Sequence, residues 1–186
     1  MMEGEMPSRI GKKPVPVPKG VKVEVSDERV QVSSADGKRV LQRAVANVTV
    51  KVDGGQVVVA PKDESRAALA CHGLYRTLIA NMVEGVAKGY QKTLLVEGAG
   101  YKAELKGRTL VLTVGYTLPR EFPVPAGIEV ECPNANQVVI KGYDKELVGQ
   151  TAATLRRIRP PDPYRGKGIR YDWEKAVRKA PKGKGK

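Results

Sequence analysis

An α+β fold, built as two tandem copies of one small domain, is what this 186-residue sequence predicts. Each copy is expected to be a curled, mostly antiparallel sheet packed on one long helix, with a basic C-terminal tail after the second. An internal repeat carries that expectation first. QVVVAPKDESRAALACHGLYRTL begins at Gln56 and QVVIKGYDKELVGQTAATLRRI at Gln137, so Asp63 falls on Asp144 and Leu74 on Leu155. A second likeness, VPKGVKVEV from Val17 and VPAGIEVEC from Val124, has a wider offset. It predicts either extra chain between the copies or a different strand order. Two such stretches point to duplication. The last observation is the apolar period, which switches from two to between three and four inside each copy.

In chain order, Val21, Val23 and Val25 alternate with polar residues, as a half-buried strand requires, and Val30 and Val32 continue the pattern. Val48, Val50 and Val52 form another strand, closed by Asp53-Gly54-Gly55, a hairpin signal, before Val57 to Val59. Ala67, Ala70, Cys71, Leu74, Leu78 and Met82 then mark one face of a helix, with Asp63 as its expected cap. Gly85 to Gly89 reads as the junction between copies. Leu94 to Glu97, Tyr101 to Leu105 and Leu110 to Val114 read as strands, punctuated by Gly98, Gly100, Gly107 and Gly115, and further strands lie near Ile128 and Val138. A second helix starts at Asp144, presents Leu147, Val148, Thr151, Leu155 and Ile158 on one face, and must stop before Pro160-Pro161. The expected domains are residues 8–88 and 89–172, followed by a basic tail over residues 173–186.

Hydrophobic residues make up 41% of the chain but aromatics only 5%, so the cores must be built from Val, Leu, Ile and Ala. No apolar run approaches the ~20 residues that cross a bilayer, and MMEGEMPSRIGKK lacks the apolar stretch of a secretion signal. A cytoplasmic location, with no membrane partner, is the expectation. The two cysteines, Cys71 and Cys132, form no ligand pair and read as small buried thiols.

Charge is the first functional clue. The formal net charge is +13, and it is uneven: residues 155–186 carry 12 basic and 3 acidic side chains. A concentrated basic end is more often a polyanion contact than a solvated face. Within it, Arg165, Lys167 and Arg170 can neutralise phosphates, Tyr164, Tyr171 and Trp173 can stack on exposed bases, and Gly166 and Gly168 let backbone approach a partner. The bland alternative is a flexible tail whose aromatics fold back onto the domain. Arg156, Arg157 and Arg159 end the second helix; one cation would satisfy its dipole, so all three are expected to point outward as well, towards a phosphate backbone. Lys175, Arg178, Lys179 and Lys182 extend the basic surface along the tail, whose last residues, APKGKGK, are low in complexity. The basic, proline-rich RIGKKPVPVPK from Arg9 is either a second RNA contact or an extended arm.

Signals for catalysis are poor. His72 is the only histidine, lies beside Gly73 on the first helix, and reads as structural. Gly98-x-Gly100 precedes a strand rather than opening a helix, there is no phosphate-loop motif, and no spacing suggests zinc. No enzymatic activity, cofactor or metal is expected; the rival acid–base pair would be Glu97 with Tyr101. A second rival is a general nucleic-acid-binding or nucleoid-associated protein.

Three stretches resemble a known family, that of the sixth protein of the large ribosomal subunit in its bacterial form. They are SRIGKKPVPVPKGV from Ser8, HGLYRTLIANMVEGVAKGYQKTLLVEGAGYKA from His72, and PDPYRGKGIRY from Pro161 to Tyr171. Arg165 stands where lysine is more usual, which keeps the charge but alters hydrogen-bond geometry. The residues before Ser8 precede the family's usual start. The resemblance implies a duplicated α+β fold and no enzymatic activity. It implies a C-terminal domain that binds large-subunit rRNA near the base of the sarcin–ricin loop, among neighbouring ribosomal proteins and close to translation factors. By the same resemblance, Tyr164, Arg165, Gly166, Lys167, Gly168 and Arg170 contact the rRNA. Replacing Arg165, Lys167 and Arg170 with Glu is expected to spare the fold.

Overall fold

The computed structural model describes residues 8–26, 29–175 and 179. The chain forms two compact units, Met1–Gly89 and Tyr90–Lys186. In the first, strands β1 (Val15–Pro16), β2 (Val21–Ser26), β3 (Arg29–Ser34), β4 (Val40–Ala44), β5 (Val48–Asp53) and β6 (Gln56–Pro61) precede helix α1 (Arg66–Lys88). In the second, β7 (Tyr90–Glu97), β8 (Lys102–Lys106), β9 (Thr109–Thr113), β10 (Arg120–Pro123), β11 (Ile128–Asn134) and β12 (Gln137–Gly142) precede helix α2 (Lys145–Ile158), and β13 (Gly168–Tyr171) follows it.

The strands of each unit divide into two small antiparallel sheets. The first unit has the orders β1-β6-β5 and β2-β3-β4; the second has β11-β12-β7-β13 and β10-β9-β8. Element for element, the second unit therefore repeats the first, with β7 beside β12 as β1 lies beside β6. From β2 and β8 onward, equivalent strands begin 80 or 81 residues apart: Val21 and Lys102, Val40 and Arg120, Gln56 and Gln137. This confirms the Gln56/Gln137 repeat and overturns the wider one. The segment from Val17 runs into β2 and that from Val124 into β11, which are not topological equivalents. Their likeness is that of two strands entered through a Pro-x-Gly turn. Among the described residues only β13, added to the free edge of β7, has no counterpart in the first unit.

Valine alternation builds the first core. Val30, Val32, Val57 and Val59 are buried against Ile79, Met82, Val83 and Val86 of α1. The helix turns a different row inward from the one the apolar period suggests. Ala68, His72, Ile79, Met82, Val83 and Val86 are buried, whereas Leu74 is 54% exposed. Counting apolar residues misplaces the face because α1 is rich in alanine all round, and because a histidine occupies the row. His72 is accepted there because Nε2 donates to the Val59 carbonyl at 3.0 Å. The cap also differs. Ser65, not Asp63, caps α1, its Oγ accepting from the Ala68 N–H at 3.2 Å. Asp63 instead accepts from the Ser65 N–H and hydroxyl, which holds its carboxyl below the usual range. Asp144 does cap α2, accepting from the Glu146 N–H at 2.9 Å. Gly85 lies inside α1, buried, and the helix ends at Gly89. Both cysteines are half-buried rather than buried, and burial pushes the Cys132 thiol up, away from the reactive thiolate.

The N-terminal arm docks on α1. Arg76 Nε donates to the Lys13 carbonyl at 3.0 Å, and Gly11 lies flat against His72, so that a methyl at Gly11 would sit 2.5 Å from the imidazole ring. Neither the ring, fixed by Val59, nor the arm, held by Arg76, is free to yield. Gly11→Ala should therefore lower stability by about 1–3 kcal/mol, as overpacking does. Chemical denaturation of the full chain checks this; an unchanged midpoint would show that the arm is not seated there.

Candidate nucleic-acid interface

The feature peculiar to the second unit is the segment that joins α2 to β13. Pro160-Pro161 stop the helix, and the chain makes a compact loop before returning to the sheet. At its base the Ile169 N–H donates to the Arg159 carbonyl at 2.7 Å; Ile169 itself is 1% exposed within the core formed by Leu94, Leu110, Leu112, Ile140 and Leu155. Burying that side chain stabilises the return by roughly 1.5–3 kcal/mol. Within the loop, the Asp162 N–H donates to the Lys167 carbonyl at 2.9 Å and the Gly166 N–H to the Asp162 carbonyl at 2.8 Å. The Asp162 carboxylate accepts from the N–H groups of Tyr164 (3.2 Å) and Arg165 (3.0 Å), which hold its carboxyl below the usual range. The Lys179 N–H reaches back to the Pro163 carbonyl at 2.8 Å.

Gly166 and Gly168 are both buried, so their role differs from the expected approach to a partner. At Gly168, φ is +147°, and a methyl there would lie 2.5 Å from the Pro160 carbonyl oxygen and 2.7 Å from Pro161 Cα. The close approach is to the protein's own backbone.

Fixing the loop leaves its cations on display. Arg165 is exposed, Lys167 is half-buried and Tyr164 is 61% exposed. Arg157 is likewise exposed on the last turn of α2. Among the described residues no carboxylate forms an ion pair with Arg157, Arg165 or Lys167. Lys175 and Lys179 are exposed, while Arg178 and Lys182 lie outside the described residues, as does most of the basic tail.

Two of the expected phosphate ligands face inward instead. Arg156 Nε donates to Glu174 Oε2 at 2.8 Å and Nη2 to the other oxygen, a bidentate ion pair. Arg170 Nε donates to Glu97 Oε1 at 3.0 Å, and its Nη1 to the Glu174 carbonyl at 2.9 Å. Both guanidinium groups are held above their ordinary range, first by these carboxylates. Arg170→Glu would set two carboxylates against each other across β13 and β7, so the triple Glu replacement removes a brace as well as exposed cations. Glu97 is thereby engaged with Arg170, while the Tyr101 hydroxyl faces Arg159, so the rival acid–base pair is divided between two partners. Arg159 is placed differently, its guanidinium lying 5.2 Å from the Tyr116 ring centroid. Tyr171 packs on the core and stacks on Trp173 with centroids 5.2 Å apart and planes 13° apart, as the bland alternative supposed for these aromatics. Tyr164 does not fold back in this way. Nothing in the sequence marked the braces, because Arg170 lies inside the motif, Glu174 just after it and Glu97 far upstream.

The family described as Ribosomal protein L6 matches residues 17–89 and 97–172, one copy of the fold each time. The chain belongs to the ribosomal protein L6 family. Its similarity to individual relatives runs nearly end to end. It is 51% identical over 179 residues to large ribosomal subunit protein uL6 of Chloroherpeton thalassium, covering 96% of this chain and 99% of the relative. It is 50% identical over 181 residues to the protein so named in Carboxydothermus hydrogenoformans (96% and 99%), and 51% over 176 residues to that of Treponema pallidum (94% and 97%). In this L6-family chain, the loop between α2 and β13 is what the second copy adds to the shared fold.

The Arg156–Glu174 pair has a pH signature. Hydrogen bonding to Arg156 holds the Glu174 carboxyl below its ordinary 4.5. Its contribution to stability is therefore complete above that ordinary value and is lost as pH falls through the lower folded value. The stability difference between the native chain and Glu174→Gln should be constant near neutrality and shrink below about pH 4.5. Denaturation at a series of pH values checks this; a difference independent of pH would mean the pair contributes nothing.

Proposed function

We propose that this chain is a structural constituent of the large ribosomal subunit, and that it grips large-subunit rRNA with the loop Arg159–Gly168. Arg157, Arg165 and Lys167 neutralise phosphates, Tyr164 stacks on an exposed base or ribose, and Lys175, Lys179 and the further tail cations Arg178 and Lys182 extend the contact. Arg156, Arg170 and Tyr171 serve by holding the loop and the start of the tail in place. Gly166 and Gly168 act by shaping the loop. In this reading the rRNA bound lies near the base of the sarcin–ricin loop, beside neighbouring ribosomal proteins and translation factors, in the cytoplasmic ribosome. Nothing in this role requires bond-making chemistry.

The single observation that supports this reading most is a tightly hydrogen-bonded loop whose cations have no carboxylate partner among the described residues. Such a loop meets a polyanion with little further ordering, so less of the binding energy is lost to entropy. The first unit is more lightly charged, and its basic arm is seated on α1 through Arg76, which favours a lesser part in RNA contact.

If about six phosphates are neutralised, rRNA affinity should fall by roughly a thousandfold between 50 and 200 mM salt. Arg165→Glu with Lys167→Glu should weaken binding and make that salt dependence shallower, while circular dichroism stays unchanged. Filter binding of the full chain to transcribed large-subunit rRNA provides the measurement. Affinity insensitive to salt would rule the mechanism out, and equal affinity for a matched DNA duplex would favour a general nucleic-acid binder.

A further inference from the structure

We propose that the turn Tyr116–Pro119, with Arg120 at the start of β10, is a second contact for the same rRNA: Arg120 and Arg159 grip phosphate from the Tyr116 ring, and Leu118 packs on the adjoining ribose or base. This rests on the rRNA reading above and extends it to a part of the chain outside the PDPYRGKG loop.

The mount is built from glycines and tyrosines. The Tyr101 ring is 9% exposed and lies between two glycines: a methyl at Gly98 would sit 2.7 Å from the ring, and one at Gly115 would sit 2.8 Å from its hydroxyl. Tyr116 follows Gly115, and its hydroxyl donates to the Ile158 carbonyl at 2.8 Å, tying the turn to the last residue of α2. On this base the Arg120 and Arg159 guanidinium carbons lie 5.0 and 5.2 Å from the Tyr116 centroid. Hydrogen bonds to the Tyr116 and then the Tyr101 hydroxyl hold Arg159 above its ordinary range.

Two cations on one ring repel each other, and the cation–π attraction at an exposed site is modest. A carboxylate would be the ordinary remedy, yet among the described residues none forms an ion pair with either arginine. Glu121 is next to Arg120 on β10, and successive strand residues point to opposite faces. Asp162 feels Arg159, but its oxygens accept from the Tyr164 and Arg165 N–H groups. A phosphate between the two planar forks removes the repulsion.

Leu118 decides what kind of polyanion fits. It is 75% exposed, the most exposed large apolar side chain among the described residues, between exposed Thr117 and Pro119. One exposed leucine is ordinary by itself. Beside two uncompensated guanidinium groups it suits RNA, which offers sugar and base surfaces next to each phosphate. A protein partner would have to bury both charges. The turn is also continuous with the first contact, because Arg159 stands at the base of the Arg159–Gly168 loop.

The test is filter binding of the full chain to transcribed large-subunit rRNA at several salt concentrations, with the exposed positions changed as Arg120→Gln and Leu118→Ser. Arg120→Gln should weaken binding about tenfold and make the salt slope shallower by about one phosphate contact. Leu118→Ser should weaken binding with the slope unchanged. Should both variants bind as the native chain does, while Arg165→Glu with Lys167→Glu weakens binding, the second contact is overturned and the first stands. Failure of the native chain to bind in a salt-dependent way overturns both. As a check independent of affinity, a photoreactive benzoylphenylalanine in place of Leu118 should crosslink to rRNA in reconstituted subunits; crosslinking to protein alone would overturn the proposal.

Discussion

The approach of Gly168 to the backbone of Pro160 and Pro161 is the constraint on which the second unit's special features depend. The two prolines end α2 and commit the chain to leave the helix axis. Gly168 lets it return so closely that any side chain would meet backbone atoms, which cannot move aside. The return delivers Ile169 to the core and lays β13 along β7, with Ile169 opposite Val96 and Arg170 opposite Leu95. With both ends fixed, Asp162 can organise the interior of the loop from a single side chain. Each hydrogen bond is worth only about 0.5–1.5 kcal/mol net, so it is their joint anchoring by Ile169 that gives the loop one shape.

Around that loop the arginines divide into two kinds. Arg156 and Arg170 converge on Glu174, one at its carboxylate and the other at its carbonyl, and Arg170 also holds Glu97. Pairs this close to the surface are worth ~0–1 kcal/mol to stability, so their value is positional. They bind the first residues after β13 to the end of α2. Arg157, Arg165 and Lys167 are held at their backbones instead, with no carboxylate paired to them among the described residues. Counting positive charges cannot separate these kinds, because the separation depends on which carboxylates the fold brings near.

That difference sets what was legible in the sequence. The Gln56/Gln137 repeat showed the duplication because strand and helix periods survive substitution. The alternating valines showed the strands, and Pro160-Pro161 the end of α2. The short strands β1, β4, β10 and β13 were not legible, since Val15–Pro16 or Gly168–Tyr171 carries no period of its own and is strand only through its partner. The buried face of α1 was missed because His72, hydrogen-bonded to Val59, takes a place that apolar counting reserves for aliphatics. In the candidate interface, PDPYRGKG stood out in the sequence as prolines and glycines set among cations. Its glycines were assigned to the partner when they serve the protein's own chain closure, and the Gly98/Tyr101/Gly115 mount was visible only as punctuation between strands.

Duplication explains why one L6-family unit can specialise: the shared strand–helix core is complete in each copy, and the second adds a strand and a loop at a free edge. The central claim is that this loop has its shape before RNA arrives. Amide hydrogen exchange of the free full-length chain tests it most directly, read at Gly166 and Ile169, whose N–H groups bond to Asp162 and Arg159. Exchange at both slowed at least about a hundredfold relative to an unfolded chain is the predicted result. Exchange at the unfolded rate, with the core strands still protected, would contradict it.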